Sequence, residues 1–469
     1  MARIAVIGAG MGAMATAARL AVAGHQVTVY ERGTTYGGAV GRYERDGFAF
    51  DTGPGLLHLP AVYRDLFVKT GKRPLEDCVE LVQVDPAVRH VLADATVVTL
   101  PNASRGGAAA VLDQTFGAGA GERWSAVLGR ARDAWDATRR PLLEEPLRPD
   151  WQALGGDPYP ALRKSGLLRR RPPTLAEVAD RELGGPLAQL LTARVGAYGL
   201  DPATAPASAA VLPYMEQTFG SWYVRGGIRA LATAVYERCL ERKVAFVFGA
   251  EVREVLARGG RAAGLLLADG TEAAADAVVC GVDPRQLPIA PSIPPVPGSP
   301  PARNTGLADW YTLFLALRGA RPGDAVHRTL LDSVTVLRPD DPATRPDAEH
   351  EAVTVHAVVR SGSPAPSAEE LLTTAARAVP GLRERLLWHE LRTPGDIAEA
   401  TGAVDGSVPA PALAGAGGRL LHPANTTALP GLYLAGGWAH PGGGLPHAGM
   451  TGALVAGLIV EGADFRGSR

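Results

Sequence analysis

The chain has 469 residues, 46% of them hydrophobic and 20% charged, with a net charge of -1. That length exceeds one ordinary core and predicts two or three globular domains, while the balanced charge excludes the broad basic field of a nucleic-acid-binding protein. Cys78, Cys239 and Cys280 lack paired or ligand-like spacing, which excludes a disulfide framework and a zinc site.

In chain order, residues 3–8, RIAVIG, form a β-branched run that begins at once, leaving no room for a signal peptide. GAGMGAMATAARLAVAG follows, then QVTVYE at 26–31. The pattern predicts strand, glycine turn, small-residue helix and strand. Gly8 permits the tight turn, Gly10 lets backbone N–H groups reach a pyrophosphate, and Gly12 and Ala13 continue the fingerprint. Ala13 is small enough for helix to pack on sheet. The helix N-terminus adds partial positive charge and free N–H donors. Glu31 lies 23 residues after Gly8, where an acid hydrogen-bonds a ribose diol and repels a 2′-phosphate. Arg32, beside it, joins the candidate cofactor-binding set.

Residues 34–60, TTYGGAVGRYERDGFAFDTGPGLLHLP, contain Gly37-Gly38, a hairpin-like run and a turn over Asp51, Gly53 and Pro54. These features do not belong to a simple NAD domain. Residues 120–200 read mostly helical, with AGERWSAVLGRARDAWDATRRPLLEE as a candidate helix. RKSGLLRRRPP, 163–173, interleaves leucines with five cations and suits either a membrane surface or a solvated loop. GSWYVRGG, 220–227, leads into a helix, a strand beginning near Val252 and a hairpin turning at Asp269-Gly270. PSIPPVPGSPPA, 291–302, is a proline-rich connector, and LADWYTLFLAL and EHEAVTVHAVVR predict strands. GLYLAGGWAHPGGGLPHAGM, 431–450, places glycines between an apolar strand and an apolar helix, as where something large approaches the backbone closely. No apolar run reaches the roughly 18–20 residues of a membrane span.

Taken together, these stretches resemble the amine oxidase and phytoene desaturase superfamily of flavoproteins, and within it the bacterial carotenoid desaturases of the phytoene desaturase type. FDTGPGLLHLP, the TPGD at 393–396, LLHPANTTALPGLYLAG and HPGGGLP carry the resemblance. It implies an α/β fold with a Rossmann-type (GR2-like) FAD-binding domain, discontinuous over 1–75, 220–285 and 415–469. Residues 76–219 and 286–414 would form an α+β substrate domain with a helical subregion. The resemblance also implies FAD contacts. Gly37 and Gly38 would lie along the cofactor. Asp51, Gly53 and Pro54 would come near the isoalloxazine, and the backbone at Val252 would meet the adenine. Gly436, Gly437, Gly442, Gly443 and Gly444 would slide along the ring and ribityl chain. Leu445 and Pro446 open a helix whose positive end would face the flavin N1–C2=O locus. Ala39 stands where the family usually has arginine, and His447 where it usually has glycine.

Flavoenzymes of this kind take a hydride from a C–H bond, while the protein positions the substrate and excludes water. Loss of hydride from a polyene leaves an allylic cation acidic enough for a weak base, which accounts for the lack of an evident acid–base pair. His58, Glu216, Arg225, His440 and His447 are the candidate catalytic groups. Three readings stand open: a desaturase of an apolar isoprenoid or polyene; a flavoenzyme acting on an amine, amino-acid-derived or polyketide polyene substrate, or an isomerase; and a non-enzymatic binder like the Rab GDP-dissociation inhibitors. Without a second nucleotide fingerprint, oxygen or a quinone is the expected electron acceptor. The expected location is cytoplasmic, peripheral to the inner membrane face.

Overall fold

A computed structural model describes residues 1–162, 171–286 and 308–467. The RIAVIG run forms β1 (Arg3–Ile7), followed by α1 (Met11–Val22) and β2 (Gln26–Glu31). Much later come α2 (Ile228–Glu241), β3 (Ala245–Phe248), β4 (Ala277–Cys280), β5 (Leu432–Leu434) and α3 (Leu445–Glu461). These strands build one sheet in the order β3-β2-β1-β4-β5, parallel throughout. Its strands therefore come from widely separated stretches of chain. A parallel sheet is covered on both faces, which explains the apolar runs of β1 and β4.

Small residues let α1 and α3 approach closely. A Cβ built on Gly452 would lie 2.7 Å from the Ala15 carbonyl carbon, and one on Gly12 would lie 2.6 Å from Gly436 Cα. Ala13 does the same work toward the sheet, since a Cβ on Gly281 would meet the Ala13 Cβ at 2.7 Å. The small-residue character of α1 thus serves packing on two sides.

A second sheet has seven strands, ordered 386–392, 308–318, 350–360, 334–337, 328–331, 88–91 and 97–100. Every pairing is antiparallel except that of 328–331 with 88–91. Helices Arg105–Phe116, Ala120–Arg139, Leu175–Glu182, Gly185–Gly196 and Val211–Phe219 share a core around the fully buried Trp124. The candidate helix beginning at Ala120 ends its α-helical part at Arg139 and passes into a π-helical turn, Arg140–Glu144, that contains Pro141. Proline lacks the N–H needed to continue the ladder.

Residues 163–170 of the basic cluster and the whole 291–302 connector lie outside the described residues. Arg171 is described and pairs with Glu177 at 2.7 Å. Among the described residues no helix is long and apolar enough to cross a membrane.

Candidate active site

The turn after β1 is held from two sides. The Glu31 carboxylate, at the end of β2, accepts from the backbone N–H of Ala9 and of Gly33, each at 2.7 Å. Gly37 N–H donates to Ala9 O at 2.8 Å, and a Cβ on Gly38 would lie 3.1 Å from Gly10 Cα, so the Gly37-Gly38 loop lies on the turn. Arg229 fixes that loop from α2. Its guanidinium donates to the Tyr36 and Val40 carbonyls and to Thr35 Oγ1, and lies 4.1 Å over the Tyr36 ring.

The residues present fit a dinucleotide. A Cβ on Gly10 would meet nothing within 4 Å, so this glycine faces open space in an otherwise close-packed turn. The N-termini of α1 and α3, at Gly10 and Gly444, carry neither a side-chain cap nor an acidic residue in the first turn. Their free N–H donors and positive ends suit anionic or carbonyl oxygens.

The glycines of 436–444 divide into two kinds. A Cβ on Gly437 would strike Pro409 Cγ at 2.7 Å, one on Gly442 the His422 ring at 2.7 Å, and one on Gly443 the Pro409 carbonyl oxygen. These three make room for the 409–412 segment. A Cβ on Gly444 meets nothing closer than His447 Nδ1 at 3.6 Å. Asn425 braces the same loop, donating to the Leu434 and His440 carbonyls at 3.1 and 2.7 Å. Tyr63, fully buried, donates to Leu445 O at 2.9 Å and holds the start of α3.

The Asp51 side chain serves a helix end. Its carboxylate caps α2, accepting from Ile228 N–H at 2.8 Å and Arg229 N–H at 3.1 Å. Burial raises its pKa to about 6 against the pull of those two hydrogen bonds. Gly53 packs on the glycine loop, since a Cβ there would lie 2.5 Å from Ala39 O. Pro54 is exposed, Val252 opens a half-buried strand, and exposed Arg32 donates to the Glu399 carbonyl.

The five candidate catalytic residues fall into three places. His440 and His447 lie with His422 around the start of α3. His440 donates from Nε2 to Glu145 O at 3.0 Å, so this nitrogen carries the proton. Burial lowers the pKa of His440 and His422 to about 4 and of His447 to about 3, so all three are neutral at pH 7. His58 and Glu216 meet in a second group. Glu216 accepts from Arg194 at 2.8 Å, Arg328 at 3.0 Å and Tyr198 OH at 2.8 Å, with His58 Nε2 at 3.7 Å. Burial alone would raise the Glu216 pKa, but Arg328 and Arg194 outweigh it and hold the carboxyl well below its usual range. Arg225 belongs to neither group. It lies exposed at the surface, paired with Glu80 at 2.9 Å. A charge at the end of a strand finds water more readily than a buried ligand.

Sequence reasoning missed Arg194, Arg328, Tyr198, Arg229, Asn425 and Asp341. Asp341 accepts from Tyr223 OH at 2.9 Å and Gly226 N–H at 2.6 Å. The available signal was an arginine inside an apolar run, as in TARVGAYG and HRTLL, because a buried guanidinium requires a partner.

Beside His447 lies a small cavity of about 20 Å³, bounded by Trp135, Leu142, Leu143, Leu212, Met215 and Leu413. Helix Val211–Phe219 thus turns Met215 and Leu212 to the cavity and Glu216 to the ionic group.

A parallel sheet with a glycine turn, an acid closing its second strand and a second open helix N-terminus defines an FAD-dependent oxidoreductase. Residues 14–460 match the family described as flavin containing amine oxidoreductase, and the chain belongs to that family. It is 27% identical to a 4,4'-diapolycopene oxygenase of Methylomonas sp, over 98% of each chain. It is 29% identical to a hydroxyneurosporene desaturase of Cereibacter sphaeroides, over 98% of this chain and 97% of that one. In fold it is similar to an oxidoreductase of Methanosarcina mazei, with a TM-score of 0.65 at 17% identity over 96% and 98% of the two chains.

Proposed function

We propose that this oxidoreductase desaturates an apolar polyene of isoprenoid type, removing a hydride and a proton from adjacent carbons. The apolar character of the walls beside His447 supports this reading. Among these walls the Ser208 and Thr138 hydroxyls donate to Ala414 O and Ala134 O, each at 2.6 Å, and their oxygens can still accept. A cationic amine would find no carboxylate among the lining residues. Similarity over nearly the whole chain to relatives named for carotenoid substrates supports the same choice.

FAD, when bound, supplies a ring that accepts two electrons as hydride. Gly10 and the open ends of α1 and α3 would hold it, with Glu31 at the ribose. The chain's own residues bind the polyene, exclude water and receive the proton. The buried carboxylates Asp51 and Glu216 are tied to their donors, so a neutral imidazole is the base within reach of the cavity; a carbon next to a polyene cation is acidic enough to need no stronger one. We further propose that the substrate arrives from a membrane surface through the RKSGLLRRRPP segment and that oxygen or a quinone removes the electrons.

Anaerobic titration tests the central reading. A polyene should bleach the flavin band near about 450 nm, a property of the cofactor itself, and yield a product with one more double bond. Bleaching by amines and by no polyene would overturn it.

A further inference from the structure

We infer that Arg229 is the cation that balances the cofactor's pyrophosphate, acting across the Gly37-Gly38 loop. The inference concerns the cofactor alone, so it stands or falls separately from the polyene reading. The nucleotide turn itself lacks a positive side chain. Residues 8–13, GAGMGA, offer backbone N–H groups only, and Glu31 brings a negative charge to the same turn. The N-terminus of α1 supplies about half a unit charge, while a pyrophosphate carries a full negative charge on each phosphate. Arg32, beside Glu31, is exposed and donates to the Glu399 carbonyl, and Ala39, next to the glycine pair, is uncharged.

Arg229 is placed to supply the missing charge. Its backbone is fixed at the start of α2, where Asp51 accepts from its N–H at 3.1 Å. Its guanidinium lies against Gly37, whose missing Cβ leaves room for Nη1. On its other side the loop meets the turn. Gly37 N–H donates to Ala9 O at 2.8 Å, Gly37 bridges Gly10, and a Cβ on Gly38 would lie 3.1 Å from Gly10 Cα. One layer of backbone therefore separates the guanidinium from the turn. The guanidinium is also held rigidly, 4.1 Å over the Tyr36 ring, which is itself stacked on Tyr236.

The charge is unspent. Nη1 donates to the Tyr36 and Val40 carbonyls, and Nη2 donates to Thr35 Oγ1 at 2.6 Å, so its partners are all neutral oxygens. A guanidinium has five N–H donors, and those on Nε and the second on Nη2 meet no acceptor among the described residues. Asp51 takes the backbone N–H, and among the described residues no carboxylate pairs with the guanidinium. A half-buried charge with neutral partners is costly until an anion completes it. The anion that the adjoining turn is built to receive is a pyrophosphate.

The test is cofactor affinity rather than turnover, read from the flavin fluorescence released when holoenzyme is diluted at low and at high sodium chloride. Arg229→Gln keeps N–H donors for the loop and removes the charge. It should bind FAD about tenfold more weakly at low salt, the worth of one charge-assisted contact, and lose most of the salt dependence that the wild type shows. Arg229→Lys keeps the charge and loses the fork, so it should retain most of the affinity and the salt dependence. Ala39 is exposed beside the loop, so adding Ala39→Arg to Arg229→Gln should restore the salt dependence and part of the affinity. A residue that only staples the loop would make the Lys variant as damaging as the Gln variant and leave the salt dependence as in the wild type. Either result overturns the inference, as does an Arg229→Gln protein that holds FAD as tightly as the wild type. If Arg229→Gln does not fold, Arg229→Lys decides: retained affinity with retained salt dependence supports the charge, and lost affinity with unchanged salt dependence contradicts it.

Discussion

The nucleotide turn and the Glu216 junction are both buried and both polar, yet they are built by opposite means. The turn uses backbone: Gly8, Gly10 and Gly12, the N–H groups that Glu31 organises, and the ends of helices. The junction uses long side chains brought from distant segments. Arg194 comes from one helix and Glu216 from another, Arg328 from the seven-stranded sheet, and His58 from the short strand Leu57–His58. The turn needs a ligand to complete its hydrogen bonds. The junction nearly completes itself, with two guanidiniums on one carboxylate and a tyrosine hydroxyl on its other oxygen. Backbone sites therefore mark where a cofactor goes, and buried ion clusters mark where separate parts of the chain are locked together.

The largest effect should come from breaking the junction. Glu216→Ala leaves Arg194 and Arg328 facing each other without a carboxylate, which should cost about 3–5 kcal/mol in a urea melt. Replacing all three charges with Met, Leu and Met should recover most of that loss, because a buried ion group contributes little net stability. If Glu216→Ala melted like the wild type, the junction would not hold the parts together.

Glu31→Ala tests the turn. It removes the acceptor for Ala9 and Gly33 N–H and the proposed ribose contact, a charge-assisted bond worth about 1.5–3 kcal/mol. FAD should dissociate on dialysis while the apoprotein still folds, with flavin content read from absorbance. Full occupancy after dialysis would argue against the ribose contact.

Gly12→Val asks whether the small residues of α1 serve packing. Its Cβ would land 2.6 Å from Gly436 Cα and 3.0 Å from Ala448 O, both backbone atoms that cannot step aside. Overpacking of this kind costs about 1–3 kcal/mol, and the melting temperature should fall whether or not FAD is present. An unchanged melting temperature would mean that α1 and α3 are not locked together there.

How much of this was legible follows the same division. A backbone site needs particular residues at short, fixed spacings, so Gly8, Gly10, Gly12 and Glu31 were readable within 31 residues. The strands at 308–318 and 350–360 were visible from their β-branched runs. The short strands 88–91 and 97–100 escaped notice because four residues carry too little period to stand out. The junction was legible only in part: His58 and Glu216 were singled out, but only the fold brings Arg194, Tyr198 and Arg328 to them from separate elements. Asp51 shows the intermediate case. Its presence in the DTGP turn was plain, but a carboxylate beside a glycine turn can serve a ligand or a helix end, and only the fold brings Ile228 and Arg229 to it.

The smallest effect is a slope against pH. His90, His422, His440 and His447 are buried, and burial lowers their pKa values to about 3 to 4 from the ordinary 6.5. The unfolded chain therefore binds more protons than the folded one below pH 6.5. Their contribution to stability is complete above 6.5 and declines as the pH falls toward 4. Melting temperature should drop steadily between those limits, and less so in His447→Phe. A flat or rising profile on acidification would contradict the burial of these rings.

The most direct test of the account is a single substitution at Gly10, the glycine of the turn whose missing side chain faces open space. Gly10→Val should fold and melt close to the wild type, because its Cβ meets no protein atom within 4 Å. It should also purify without the flavin band near about 450 nm that the wild type carries. A Gly10→Val protein that retains FAD and stays active would contradict the claim that this turn cradles the cofactor's phosphates.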